Sequence, residues 1–196
     1  MPDALSRAKL ARASRNAKRQ NAGQLILMTD DLALPDPLDA ARALPPGSLV
    51  IVRARDAKRR AQLALALRGI AWTRGLILLI ADDPVLARGL GANGIHLPQM
   101  RAAEAAHWRA TNPGWLITAA AHSLGTVLRA THADAIILSP VFATKSHAGA
   151  QPLSAVKARL IAHSVSVPVF ALGGVTAQNA ILLPGFAGIA AIRALA

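Results

Sequence analysis

Short apolar runs separated by mixed segments set the rhythm of the chain. Runs at 24–29, 48–53, 76–80, 94–97, 115–120, 135–138, 167–172 and 187–191 are short and nearly continuously apolar, as strands buried on both faces are. Segments at 37–44, 57–68, 84–90, 101–109, 124–131, 153–163 and 177–182 are the helix candidates between them. Several open on capping residues: Asp36 before Pro37, Asp83 before Pro84, Ser123 before Leu124 and Thr176 before Ala177. Strands alternating with helices predict parallel pairing through right-handed crossovers, and eight such units close into a (β/α)8 TIM barrel.

The rival architecture is an open doubly wound sheet. Its usual glycine fingerprints, GxGxxG and GxxxxGK[ST], follow none of the strands. The chain stops soon after the eighth run, which leaves the last outer helix missing or vestigial. A basic helix or arm within residues 1–22 would cover that gap, with residues 23–196 as a single barrel domain.

Composition narrows the function classes. Of the 196 residues, 53% are hydrophobic, with few aromatics, which suits helices packed on short strands. Cysteine is absent, which removes disulfides, a thiolate nucleophile and thiolate metal ligands. No apolar run reaches membrane-spanning length, and the N-terminus lacks the hydrophobic stretch of a secretory signal; the expectation is a cytoplasmic protein with no membrane partner. The formal charge of +12 favours anionic partners. Part of it is local: Arg7, Lys9, Arg12, Arg15, Lys18 and Arg19 face only Asp3 in the first 22 residues. One reading is a nucleic-acid arm. The preferred one is a solvated helix face, because the charges spread around a helical wheel with no aromatics between them for base stacking.

The seventh run ends at Gly173 and Gly174 in ALGGVTAQNA. In a parallel barrel this is the active-site end of the strand. Residues without a Cβ let backbone N–H groups approach an anion closely. The eighth run ends at Ile192 and Arg193, which would add amides and a guanidinium to the same phosphate site. The structural alternative is a tight strand-to-helix turn that needs positive φ, and a surface charge in the case of Arg193.

Three motifs in order carry a resemblance: GANGIHLPQ (91–99), ADAIILSPVFATKSHAG (133–149) and PVFALGGVTAQNA (168–180). With LILMTD (25–30), they make the chain similar, from that point to its C-terminus, to thiamine phosphate synthases and the related thiazole tautomerases. The resemblance implies a (β/α)8 barrel that joins a pyrimidine diphosphate to a thiazole phosphate, releasing diphosphate with help from Mg²⁺ and cationic residues. It also implies small phosphorylated substrates and frequent homodimers.

Carried onto this chain, the resemblance gives a mixed site. A Gln-x-Arg-x-Lys pattern falls on Ile51, Arg53 and Arg55. An Asn-Asp pair falls on Ala81 and Asp82, with Asp82 the implied metal ligand. The second metal-binding Asp falls on Arg101, a reversal of charge. A Ser falls on Ala120, and a following His on His122. The Thr-x-Thr-Lys loop falls on Thr144, Lys145, Ser146 and His147. The tautomerases' His before Val-Phe falls on Pro140, which cannot shuttle protons; His122 or His147 would have to substitute. For both histidines, and for His96 in GIHLPQ, a structural role is the competing reading.

The leading expectation is therefore a thiamine phosphate synthase-like transferase. Arg53, Arg55, Thr144, Lys145 and Ser146 would bind diphosphate and act in catalysis. Gly173, Gly174, Ile192, Arg193, His122 and His147 would bind substrate. Two alternatives remain: a homologue that binds or isomerises thiazole phosphate or another small phosphorylated metabolite, and a basic nucleic-acid-interacting protein with a vestigial site.

Overall fold

The computed structural model describes residues 24–144, 151–176 and 178–193. The expected N-terminal basic helix and the last three residues lie outside that set. Eight parallel strands close into a barrel in sequence order: β1 (Gln24–Met28), β2 (Leu49–Val52), β3 (Ile77–Ala81), β4 (Gly94–Leu97), β5 (Leu116–Ala121), β6 (Ala135–Leu138), β7 (Val169–Ala171) and β8 (Gly188–Ala191). Strand β8 pairs back onto β1, with Ile26 beside Ala190, so no strand edge is left unpaired.

The apolar runs are continuous because each strand is buried on both faces. Alternate residues divide into two cores. Ile26, Met28, Leu49, Ile51, Leu79, Ile137 and Phe170 belong to the cluster inside the barrel. Leu27, Val50, Val52, Leu78, Ile80, Ile95 and Ile136 belong to a second cluster, which also contains the helix residues Ala64, Leu67 and Ile161. That second cluster is the layer between sheet and helices. One residue of register slip would exchange the two sets, so the register is strongly specified.

Among the described residues the helices are α1 (Leu38–Ala43), α2 (Ala57–Arg74), α3 (Pro84–Gly89), α4 (Ala105–Thr111), α5 (Leu124–Arg129) and α6 (Ala155–His163). Caps set their starts: the Asp83 carboxylate accepts from the Leu86 N–H, and Ser123 and Thr126 form a reciprocal capping box. Two further caps, Asp56 on α2 and Ser154 on α6, escaped the sequence reading.

Three expectations are corrected in detail. Helix α2 runs well past residue 68, because the stripe Leu63, Leu67, Ala71 continues to pack until Gly75 ends it in the left-handed region. The 101–109 segment starts earlier, as a 3₁₀ turn over Gln99–Glu104 that leads into α4. The 177–182 segment forms only a 3₁₀ turn, Ala180–Leu182. There Thr176 and Asn179 bond reciprocally through side chains and backbone, and Pro184 prevents helical continuation.

Candidate functional site

The C-terminal ends of the strands open into a cavity of about 970 Å³. This is near the upper end of the range for small-molecule sites, roughly 300–1,000 Å³. Its deeper wall is apolar, with Met28, Ala81, Ala120, Ile137, Leu172 and Ala190. The rim carries Arg53, Arg60, Asp82, Gln99, His122, Ser139, Thr144 and Arg193.

Gly173 and Gly174 line this cavity directly after β7. Their φ angles are +93° and +64°. A Cβ on Gly173 would lie 2.9 Å from Pro140 Cα, and one on Gly174 would lie 2.3 Å from the Ala143 carbonyl oxygen. The steric reading of the pair therefore applies. The turn requires glycine sterically, and the resulting bare main chain forms part of the cavity wall. Ile192 and Arg193, after β8, line the same cavity.

On the β2 side, the inward alternation places Arg53 one step beyond the strand. Its backbone N–H donates to Thr29 Oγ1, whose hydroxyl donates back to the Arg53 carbonyl, both at 2.8 Å. The guanidinium donates to Asp30 Oδ2 at 2.8 Å. Burial opposes ionisation of Asp30, but backbone N–H groups of Ala33 and Leu32 and the charges of Arg53 and Arg55 outweigh it. The carboxyl is held below the usual carboxylate range. Arg55 is exposed and not part of the cavity lining; its backbone N–H donates to Asp31.

His96 is buried inside the barrel beside its β-sheet neighbour Thr118, with Nδ1 2.9 Å from Thr118 Oγ1. Burial, and secondarily Arg53, push its pKa down to about 3, so the imidazole is neutral at physiological pH. His122 lies at the rim. Its Nδ1 is 2.6 Å from the Ser139 carbonyl oxygen, an acceptor only. Neutral His122 therefore carries its proton on Nδ1, leaving Nε2 as an acceptor.

Asp82 has left-handed φ of +54°, and its N–H donates to the His96 carbonyl. Its carboxylate is paired with Arg101. The same guanidinium donates through two nitrogens to Glu104, at 2.8 and 2.7 Å. Hydrogen bonds to Glu104 and to Asp82 raise the pKa of Arg101, and Arg101 holds Glu104 below the usual range. The Mg²⁺ implied by resemblance does not fit these donors: both carboxylates are committed to one guanidinium. Among the described residues no cluster of three or more His, Asp or Glu is arranged to hold a metal ion.

The cavity thus brings together Arg53, Asp82, His122, Thr144, Gly173, Gly174, Ile192 and Arg193. Lys145, Ser146 and His147 lie outside the described residues. Arg60, Gln99 and Ser139 were missed as site residues. Gln99 and Ser139 sit within the quoted motifs, which was the available signal. Arg60 lies among Lys58, Arg59 and Arg60 on α2, and nothing local tells which of these reaches the mouth; here Arg60 donates to the Ala54 carbonyl and to Asp83.

Fold and cavity together define a (β/α)8 barrel with a cavity of small-molecule size at its C-terminal mouth. The family model described as thiamine monophosphate synthase matches residues 25–195, and the chain belongs to that family. It is 33% identical over 168 residues to a thiamine-phosphate synthase from Methanoculleus marisnigri, covering 80% of this chain and 79% of that protein. It is 34% identical over 180 residues to a thiamine-phosphate synthase from Chlorobium luteolum, covering 87% and 84%. A thiamine phosphate pyrophosphorylase structure from Pyrococcus furiosus shares the fold, with a TM-score of 0.70 at 23% identity over 86% of this chain and 85% of that one. No helix among the described residues is long and apolar enough to cross a membrane.

Proposed function

We propose that the protein is a thiamine phosphate synthase-like transferase that joins a pyrimidine diphosphate to a thiazole phosphate. One observation carries the reading: the glycine turn after β7, the end of β8 and the arginines Arg53 and Arg60 line one cavity. Its volume accommodates two small heteroaromatic molecules. In the reaction, the bond from the pyrimidine methylene carbon to the diphosphate oxygen breaks, and its electron pair leaves with the diphosphate. The thiazole nitrogen supplies the pair that forms the new carbon–nitrogen bond, giving a thiazolium cation.

The chain's own contribution is positioning and charge. Arg53 and Arg60 line the cavity, and their guanidinium groups would stabilise charge growing on the departing diphosphate. The turn at Gly173–Gly174, with Ile192 and Arg193, would hold the phosphate of the thiazole. Fixing that end aligns the ring nitrogen with the reacting carbon, which removes much of the entropic barrier. The apolar wall of Ala81, Ala120, Ile137 and Leu172 excludes water from a carbocation-like centre. Thr144 would contact diphosphate, with Lys145 and Ser146 from the same loop.

A second reading is a homologue that binds or isomerises thiazole phosphate without making the synthase product. Ala81 and Ala120 favour it, being apolar where the resemblance implies polar groups. Incubation with both substrates, followed by product analysis with and without Mg²⁺, separates the two. The synthase reading expects thiamine phosphate. Retained thiazole phosphate binding with no product under either condition selects the second.

A further inference from the structure

The edge of the mouth between β3 and β4 carries an unusual charge arrangement. Asp82 follows β3, while Arg101 and Glu104 lie on the 3₁₀ turn after β4. Arg101 bonds both carboxylates at once, at 2.5 Å to Asp82 and 2.7 Å to Glu104. A divalent cation seeking oxygen ligands there would have to displace a guanidinium that stays protonated at any working pH. Its approach would also be repelled by that fixed positive charge.

Charge on the cavity surface is supplied elsewhere. Among the described residues that line it, the charged side chains are Arg53, Arg60, Arg193 and one carboxylate, Asp82, which is paired with Arg101. The carboxylates paired with Arg53 and Arg60, Asp30 and Asp83, are not part of the lining. An anion in the cavity therefore meets guanidinium groups at its surface, Arg53 and Arg60 each paired with a carboxylate outside the lining.

We propose that this cavity takes phosphate-bearing ligands without a divalent cation, because the guanidinium of Arg101 already holds the Asp82 and Glu104 carboxylates that a cation would need. The inference rests on the reading of the cavity as a phosphate site. It separates this chain from the metal dependence that its resemblance implies.

Inorganic pyrophosphate is the probe for calorimetric binding, once in EDTA and once in excess Mg²⁺ with free pyrophosphate corrected for its magnesium complex. The dissociation constants are expected to agree within about threefold. Tenfold tighter binding with Mg²⁺, or no binding in EDTA, overturns the proposal. Electron paramagnetic resonance of Mn²⁺ supplies a readout independent of phosphate and of turnover. Equimolar wild-type protein should leave the free-ion signal unchanged, whereas Arg101→Asp should reduce it by roughly half or more. Arg101→Ala, which leaves Asp82 and Glu104 facing each other, serves should the first variant not fold. Mn²⁺ binding by the wild type, or none by a folded variant, sinks the idea. Product formed only with Mg²⁺ would likewise refute metal independence while leaving the synthase reading intact. Equal pyrophosphate binding without product would do the reverse.

Discussion

His96 makes the barrel sensitive to mild acid. The imidazole is 5% exposed and pairs with Thr118 inside the barrel, where burial holds its pKa near 3 against 6.5 for the unfolded chain. The folded value is the lower one, so the unfolded state takes up the extra proton between these limits. The stability tied to neutral His96 is fully present above pH 6.5 and is lost as pH falls toward 3. Each pH unit inside the window is worth ~1.4 kcal/mol, and the step from pH 7 to pH 5 costs about 2 kcal/mol. Urea unfolding at both pH values, for wild type and His96→Gln, tests this. The variant has its own stability, so the quantity compared is the drop between pH 7 and pH 5. That drop should be smaller in the variant by about 2 kcal/mol. Equal drops in the two proteins would mean that His96 is hydrated or protonated in the folded state.

Two substitutions test the walls of the site. Gly174→Ala combines a left-handed backbone with a Cβ 2.3 Å from the Ala143 carbonyl oxygen, which a main chain cannot easily yield. The melting temperature should fall on the order of 10 °C, and a fall under about 2 °C in a thermal scan would mean the turn is not built as described. Arg53→Gln should weaken inorganic pyrophosphate binding roughly tenfold or more by calorimetry, partly because the Asp30 carboxylate then loses its guanidinium partner. Adding Asp30→Asn should recover part of that loss, and no recovery would show that Asp30 does not act on the ligand.

Much of the scaffold was legible along the chain. Strands buried on both faces must be short apolar runs, and eight of them separated by crossover segments leave few closed arrangements. The helix starts at Asp83 and Ser123 were readable because capping is local chemistry between a side chain and the next turn. The end of α2 was not. Its continuation to Arg74 depends on Leu67 and Ala71 finding the sheet, a tertiary contact that outweighs local propensity.

The site divides along the same line. Residue type and position at a strand end marked Gly173 and Gly174, while Asp82 and Arg53 were candidates only through the resemblance. Whether Asp82 is available to a cation depends on Arg101 and Glu104 closing around it from the following turn. Which of three adjacent basic residues on α2 reaches the cavity depends on how the helix packs on the barrel. The amino-acid order alone determined the alternation, the barrel and the glycine turn at its mouth, since these follow from local periodicity and strand polarity, while the resemblance supplied most of the other candidate groups. Only the tertiary structure decided that Asp82 meets Arg101 and Asp30 meets Arg53, because these pairs join segments that follow different strands and come together only when the strands pair.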